Sequence, residues 1–443
     1  MDEALPQSEI EPNSGVLRLM QKAPKVLVVS HNFPPTAGPE SSLVKICAEF
    51  LHREGMQVRV LTTTPTHAIQ AMDKSLLRGL PEQIIVDRVP SPEAVLAEKF
   101  PRMGRLAAVG AGRYLLPEIH LPWVLPAFTR ALDIVREWKP QVIYSRATKH
   151  VSNVVGWRLK RRCGLPWLAH FSDPWISGGL PYGLLPRLIG HFYERRILRD
   201  ADALVFVTTQ AAERVLSHYP EQWCERVQII PHGYETLGPE LDQVRQEPTA
   251  DRALRVIHAG AFYPGMRSPD TLIEALRRLQ QTESLAGRLE ITCIGVDTIC
   301  FQPQIDNAGV GDVLRLRASL PFDECQRRIA ASDLTLIIDT PGFGGVFLPT
   351  KLIEAFAHNH PVLGLAERNS AVAEVLRGAG LHWADVNDPD MIARRLSALL
   401  ADWEEGRWGI NTAQRQNMDH FQIDRINQPL LKIINSLTDK KFS

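Results

Sequence analysis

The spacing of apolar positions changes repeatedly along the chain. Short apolar runs occupy Lys25–His31 (KVLVVSH), Val58–Thr63, Ile84–Val86, Val142–Ser145, Trp167–Phe171, Ala203–Val207 and Val227–Ile230. Consecutive apolar residues in short runs are the pattern of strands covered on both faces. Between several of them apolar residues recur every three or four positions, which predicts helices over Glu40–Arg53, to about Lys139, to Arg162 and over Pro186–Arg199. This is a first array of about seven strands. A second begins at Leu254–Ala259 and continues through strands Leu289–Ile294, Val313–Leu316, Leu334–Ile338 and Pro361–Leu365. Its helices are expected over Pro269–Gln281, Asp323–Ala331, Ser370–Arg377 and Asp390–Trp403. Strand, loop, helix, strand repeated this way requires parallel, right-handed βαβ units. The fold class is therefore α/β, with two Rossmann-like doubly wound domains facing each other across a cleft.

The segment 231–252, PHGYETLGPELDQVRQEPTADR, is rich in proline and charge and separates the two arrays. The expected division is a disordered tail over 1–22, an N-terminal acceptor-side domain over 23–235 and a linker over 236–252. A nucleotide-binding domain follows over 253–415, and within 416–443 a last helix, about Ile423–Leu437, packs back onto the first domain. Residues 91–126 mix proline, glycine and apolar residues without a clean period, and read as an irregular excursion.

Composition adds mainly exclusions. Fifty basic residues balance fifty acidic ones in 443, so no bulk field draws the chain to nucleic acid. Six cysteines without metal-like spacing read as reduced thiols. The acidic, polar N-terminus is unlike a signal peptide, and no apolar run approaches the roughly 20 residues of a membrane span. A cytoplasmic protein is expected, with peripheral contact at the inner membrane face through 91–126 or the helix 186–199.

The strongest chemical signal is Asp339–Leu365, DTPGFGGVFLPTKLIEAFAHNHPVLGL. A glycine- and proline-rich loop leads from a strand into a helix that Thr350 can cap. Free N–H groups at such a helix start suit a phosphate. Lys351 opposes the helix dipole there, which makes sense opposite a bound anion. Glu354, one turn on, can accept hydrogen bonds from ribose or sugar hydroxyls. The same loop is also an ordinary strand-to-helix turn.

Five segments in order then resemble the GT-B fold glycosyltransferases, specifically the large retaining family 4. They are SHNFPPTAGP, HFSDPW, PHGY, IHAGAFYPGMR and FLPTKLIEAFAHNHPVLG, and the resemblance spans roughly residues 25–437. It implies a nucleotide-diphosphate sugar as donor co-substrate, a glycan, lipid-linked or small-molecule acceptor, retention, and no metal or other cofactor. It implies substrate-binding roles for Gly38 and Gly260 at the diphosphate, for Glu354 at the ribose, and for Gly344, Gly345, Val346 and Phe347 beside the donor sugar. Arg267 and Lys351 are the implied charge-neutralising catalytic residues. His170 and Asp173 fall where the family keeps a residue close to the transferred sugar, and Trp175 offers a face on which a sugar could stack. His232 and Gly233 match the boundary motif. Two departures stand out: Ala261 occupies a position where the family often has arginine, and Val346 replaces the first of its paired glutamates. Two other readings stay open beside the transferase. One is a nucleotide-sugar epimerase on the same fold; the other is a catalytically silent binding subunit.

Overall fold

The computed structural model describes residues 23–66, 71–100, 116–176, 183–242, 244 and 252–439. Seven strands form the first sheet: β1 Lys25–Val29, β2 Gln57–Thr63, β3 Ile85–Val89, β4 Val142–Ala147, β5 Trp167–Phe171, β6 Ala203–Phe206 and β7 Val227–Ile229. The second contains β8 Leu254–Ala259, β9 Leu289–Ile294, β10 Leu314–Arg317, β11 Leu334–Ile338, β12 Val362–Leu365 and β13 His382–Ala384. The strand orders are 3-2-1-4-5-6-7 and 10-9-8-11-12-13. The named pairings are parallel in both sheets, as crossover helices require.

Alternation across the pleat explains why the runs are apolar throughout. Leu27 and Val29 pack on one face of the first sheet with Trp123 and Ile143. Val26 and Val28 pack on the other, with residues of helix α1 (Pro39–Arg53). Strand order reverses between β1 and β4 and again between β8 and β11. Loops diverge at such a point and leave a crevice at the carboxyl ends of the strands. The segments after β1 and β8 are those that carry Gly38 and Gly260.

The chain end returns to the first domain. Ile423, Ile426, Leu430, Ile434 and Leu437 join the core beneath Val26 and Val28. The Ile423 N–H donates to the Tyr234 carbonyl at 2.9 Å, and the Tyr234 N–H donates to Phe421 O at 3.0 Å. A β-carbon on Gly233 would stand 2.6 Å from Ile426 Cγ2, so the glycine of PHGY lets this segment dock.

Several local expectations are corrected. Residues 91–126 contain a helix, Pro92–Lys99, and a 3₁₀ turn, Leu121–Trp123, while 101–115 lie outside the described residues. The turn is anchored by fully buried Trp123, whose indole N–H donates to Val89 O at 3.2 Å. Helix α2, Leu184–Asp200, does not bury one continuous side: Ile197 and Leu198 are buried, but Leu188 and Phe192 face solvent. Pro349 and not Thr350 is the cap residue of helix α3, Thr350–Ala357. The closing helix is broken at Asn427 into a turn, Ile423–Ile426, and helix α4, Gln428–Asp439. Strand β13 and the helix Thr412–Asp419 were not anticipated. The helix is held by a capping box between Asn411 and Gln414.

Candidate active site

A cavity of about 330 Å³ lies between the two domains. Gly38, Pro39, Ser42 and Asp73 line it from the first domain; Gly260, Gly295, Phe322, Gln326, Lys351 and Glu354 are among those lining it from the second. Gly38 sits at φ 132°, a conformation glycine adopts freely, and stands immediately before α1.

The floor of the second domain's half is tightly packed. The Gly260 N–H donates to Ile294 O at 2.7 Å, and a β-carbon on Gly295 would fall 2.1 Å from Gly260 O. His258, at the end of β8, is buried, and its Nδ1 contacts Leu336 O at 2.9 Å. With Nδ1 donating, Nε2 is a lone-pair acceptor, and it has no hydrogen-bond partner among the described residues. Burial and the charges of Lys351 and Arg267 lower the His258 pKa to about 3, so the ring is neutral.

The polar groups around this floor carry perturbed charges. Burial, followed by the Arg267 charge, lowers the Lys351 pKa to about 8. Burial also pulls Arg267 below its ordinary value, against Asp339, which holds it up. Asp339, at the end of β11, is raised to about 6 by burial and accepts the Thr340 N–H at 2.8 Å. Glu354 is raised by burial, while Lys351 and a hydrogen bond from Thr350 oppose the shift. Two half-buried cations, Lys351 and Arg267, thus stand near one helix start, where an anion entering the cavity would meet both.

The loop Gly344–Phe347 is placed elsewhere, against the first domain. Val346 is buried in that domain's core and Phe347 packs on the same cluster. Thr208 Oγ1 donates to Val346 O at 2.8 Å, and Arg214 Nη1 donates to Phe343 O at 3.3 Å. Gly344 and Gly345 have φ of 68° and 62°, and the Gly345 carbonyl accepts the Ala371 N–H at 2.9 Å. None of these four residues lines the cavity.

His170 and Asp173 belong to a buried polar cluster at the end of β5. His170 Nδ1 lies 2.9 Å from the Tyr144 hydroxyl, and burial holds its pKa well below the ordinary value. Asp173 is raised to about 7, first by burial and then by the Glu40 charge. Glu40 in turn pairs with Arg146 at 3.4 Å and accepts the Ser172 hydroxyl at 3.2 Å. Arg146 also reaches His232 Nδ1, at 3.2 Å. Glu40 follows Gly38 and Pro39 directly, so the cluster is coupled to the cavity's glycine loop. Trp175 is buried and stacks on His150 at 4.9 Å, which covers one face of the indole.

Sequence reasoning passed over His258, Asp339, Glu40 and Arg146 as functional groups. Their signal was present: a histidine or charged residue ending an otherwise apolar strand, or opening the helix after one, at a point where strand order reverses.

The family model for a glycosyl transferase 4-like domain matches residues 37–233. No curated protein sequence matches the chain. Sucrose-phosphate synthase from Thermosynechococcus elongatus is similar in structure, at 15% identity and a TM-score of 0.65, covering 95% of this chain and 100% of its own. HepE from Anabaena in complex with UDP-glucose aligns at 16% identity and a TM-score of 0.62, covering 93% and 99%. WaaG, a glycosyltransferase involved in lipopolysaccharide biosynthesis, aligns at 16% identity and a TM-score of 0.55, covering 92% and 99%. These similarities show a two-domain GT-B fold, in which residues 37–233 resemble a glycosyl transferase 4-like domain.

Proposed function

We propose that the protein transfers a hexosyl group from a nucleoside-diphosphate sugar to a glycan, lipid-linked or small-molecule acceptor, with retention and without a metal at the diphosphate. One observation carries this reading. Lys351 and Glu354 occupy the first turns of a helix that opens onto an interdomain cavity, with Gly260 at its floor and Gly38 opposite. Arg267 and Lys351 are suited to neutralise charge on the departing diphosphate, and Glu354 to hold the ribose. Asp173 and His170 lie on the acceptor side, where a carboxylate can steady developing positive charge or orient the acceptor. HepE was solved with UDP-glucose, which makes a uridine donor the first to try.

The exposed row Leu184, Leu185, Leu188 and Phe192 on α2, with exposed Arg187 and Arg195, suits the surface of an anionic bilayer. No helix among the described residues is long and apolar enough to cross a membrane. Contact of this kind would bring a lipid-linked acceptor to the cleft. Cosedimentation with anionic but not neutral vesicles, lost in Leu188→Glu/Phe192→Glu, supports it; no binding to either vesicle refutes it.

A silent binding subunit is the second reading. It is favoured by Val346, which occupies the place of a family glutamate and is consumed in the domain interface. The experiment is thermal stabilisation across nucleoside diphosphates and their sugars, followed by product analysis with the stabilising donor. A shift with release of nucleotide and glycosylated acceptor establishes the transferase. A shift without turnover identifies the binding subunit. No shift with any nucleotide removes the donor assignment.

A further inference from the structure

Outside the cleft, a second group of side chains converges in the first domain. His31, Glu93 and His120 each offer a ligand atom, and the three atoms lie within 4.8 Å of one another. They come from three separate places: the residue two beyond β1, the first turn of the helix Pro92–Lys99, and the residue before the 3₁₀ turn Leu121–Trp123. Both histidines are almost fully buried, at 2% and 3% exposure.

Hydrogen bonding leaves this group incomplete. His31 Nδ1 lies 3.0 Å from Asn32 Oδ1, so Nδ1 is the donor and Nε2 carries the lone pair. His31 Nε2 and Glu93 Oε2 are both buried without a hydrogen-bond partner among the described residues. Glu93 Oε1 is held by the Ser91 hydroxyl and lies 2.8 Å from His120 Nδ1. A buried lone pair and a buried carboxylate oxygen left without donors cost free energy unless something positive completes them.

We propose that His31, Glu93 and His120 form a three-ligand zinc site that pins the start of the cavity's glycine loop. Two imidazoles and a carboxylate are a donor set zinc accepts, with a fourth tetrahedral position for water. In such a site ligands about 2.0–2.1 Å from the ion stand roughly 3.3 Å apart. The Glu93–His120 edge is already near that spacing, and the His31 ligand atom, within 4.8 Å of the other two, would be drawn inward on binding. The outer contacts are those of a ligand set: Asn32 orients His31, and Ser91 orients Glu93. The charges facing the site are Lys149 and Glu118, which offset one another, and Glu118 is itself held by the His150 and Val151 N–H groups at 3.1 and 2.8 Å. The bound ion would join β1, the helix Pro92–Lys99 and the turn before α-helical residue Val124. From His31 the chain runs seven residues to Gly38. The ion's role is therefore to hold a loop, apart from the diphosphate chemistry.

The test uses the full chain, metal content by mass spectrometry, and titration with zinc against a chromophoric chelator. The expected result is one zinc per chain, a melting temperature that rises with zinc, and affinity reduced at least about 100-fold in His31→Gln and Glu93→Gln. Cobalt(II) bound to the unaltered protein should show tetrahedral visible bands without thiolate charge transfer, which separates this site from the six cysteines. The cobalt spectrum decides the matter even where a variant does not fold. No metal taken up, thiolate charge transfer in the cobalt form, or zinc affinity unchanged in both variants would overturn the proposal.

Discussion

A β-carbon placed on Gly260 would stand 2.8 Å from Lys351 Nζ and 2.5 Å from His258 Nε2. The absence of a side chain at 260 is what allows a buried imidazole and a half-buried ammonium to share one floor. His258 is tied to Leu336 O, so alanine at 260 displaces the lysine end first. Gly260→Ala should lower nucleotide diphosphate affinity at least about tenfold, and overpacking should cost about 1–3 kcal/mol of stability. Calorimetry and a melting curve read both, and unchanged affinity would detach Lys351 from the diphosphate.

Lys351 gives the cleft a pH dependence. Its folded pKa of about 8 lies below the unfolded value of roughly 10.4. Between those two values the unfolded chain binds more protons, so this group's contribution to stability rises with pH there and is flat below about 8. Diphosphate binding has the opposite slope, because the ammonium is the binding form. Affinity should fall as pH rises from about 7 to 9, and Lys351→Met should abolish that slope. A flat profile in the unaltered protein would argue against the assignment.

Asp173 should set an acid limb of turnover near pH 7, where its raised pKa places its ionisation. The raised value also means that its contribution to stability is complete below about pH 4 and is lost as pH climbs to about 7. Asp173→Asn should reduce kcat by about 100-fold. Glu40→Gln removes a neighbouring negative charge and should move the limb to lower pH. A limb that stays in place would mean another group titrates.

Glu354 can be tested through the sugar of the nucleotide. The unaltered protein should prefer a ribonucleoside diphosphate over its 2′-deoxy counterpart, and Glu354→Ala should erase that preference while lowering affinity about tenfold. Competition binding measures it. A preference that survives the substitution places the ribose elsewhere.

Thr208 joins the domains by donating to Val346 O at 2.8 Å while its Oγ1 accepts the Ala211 N–H at 3.0 Å. Alanine at 208 removes a helix cap, worth about 1 kcal/mol, and strands a buried carbonyl, at about 1–3 kcal/mol. Thr208→Ala should melt several degrees lower, and Thr208→Ser should recover most of the loss. Equal melting of the two would show that the contact contributes nothing.

Local periodicity was enough to read the architecture. Strand β5 and strand β11 are mainly apolar runs, interrupted only by His170 and Thr335, with polar or turn residues at both ends, and parallel βα arrays admit few ways of joining such runs. Lys351 and Glu354 could be singled out because a cation in the first turn of a helix opposes its dipole, a conflict visible without coordinates. Strand β13 was missed because HWA is short and mixed, and its register comes from β12.

What sequence could not decide was which loop faces the cleft and which faces the other domain. The glycine-rich loop Gly344–Phe347 has the composition of a ligand loop, yet the Val346 carbonyl and the apolar side chains are taken up by Thr208 and the first domain's core, and Arg214 holds the Phe343 carbonyl just before it. The same holds for Trp175, whose ring is stacked on His150. Glu40 and Arg146 are 106 residues apart in the chain, and Gly260 and Lys351 are 91 apart. Such pairs meet only because parallel strands deliver their carboxyl ends to one edge. Composition and period report what a residue prefers locally; long-range packing decides which partner reaches it first.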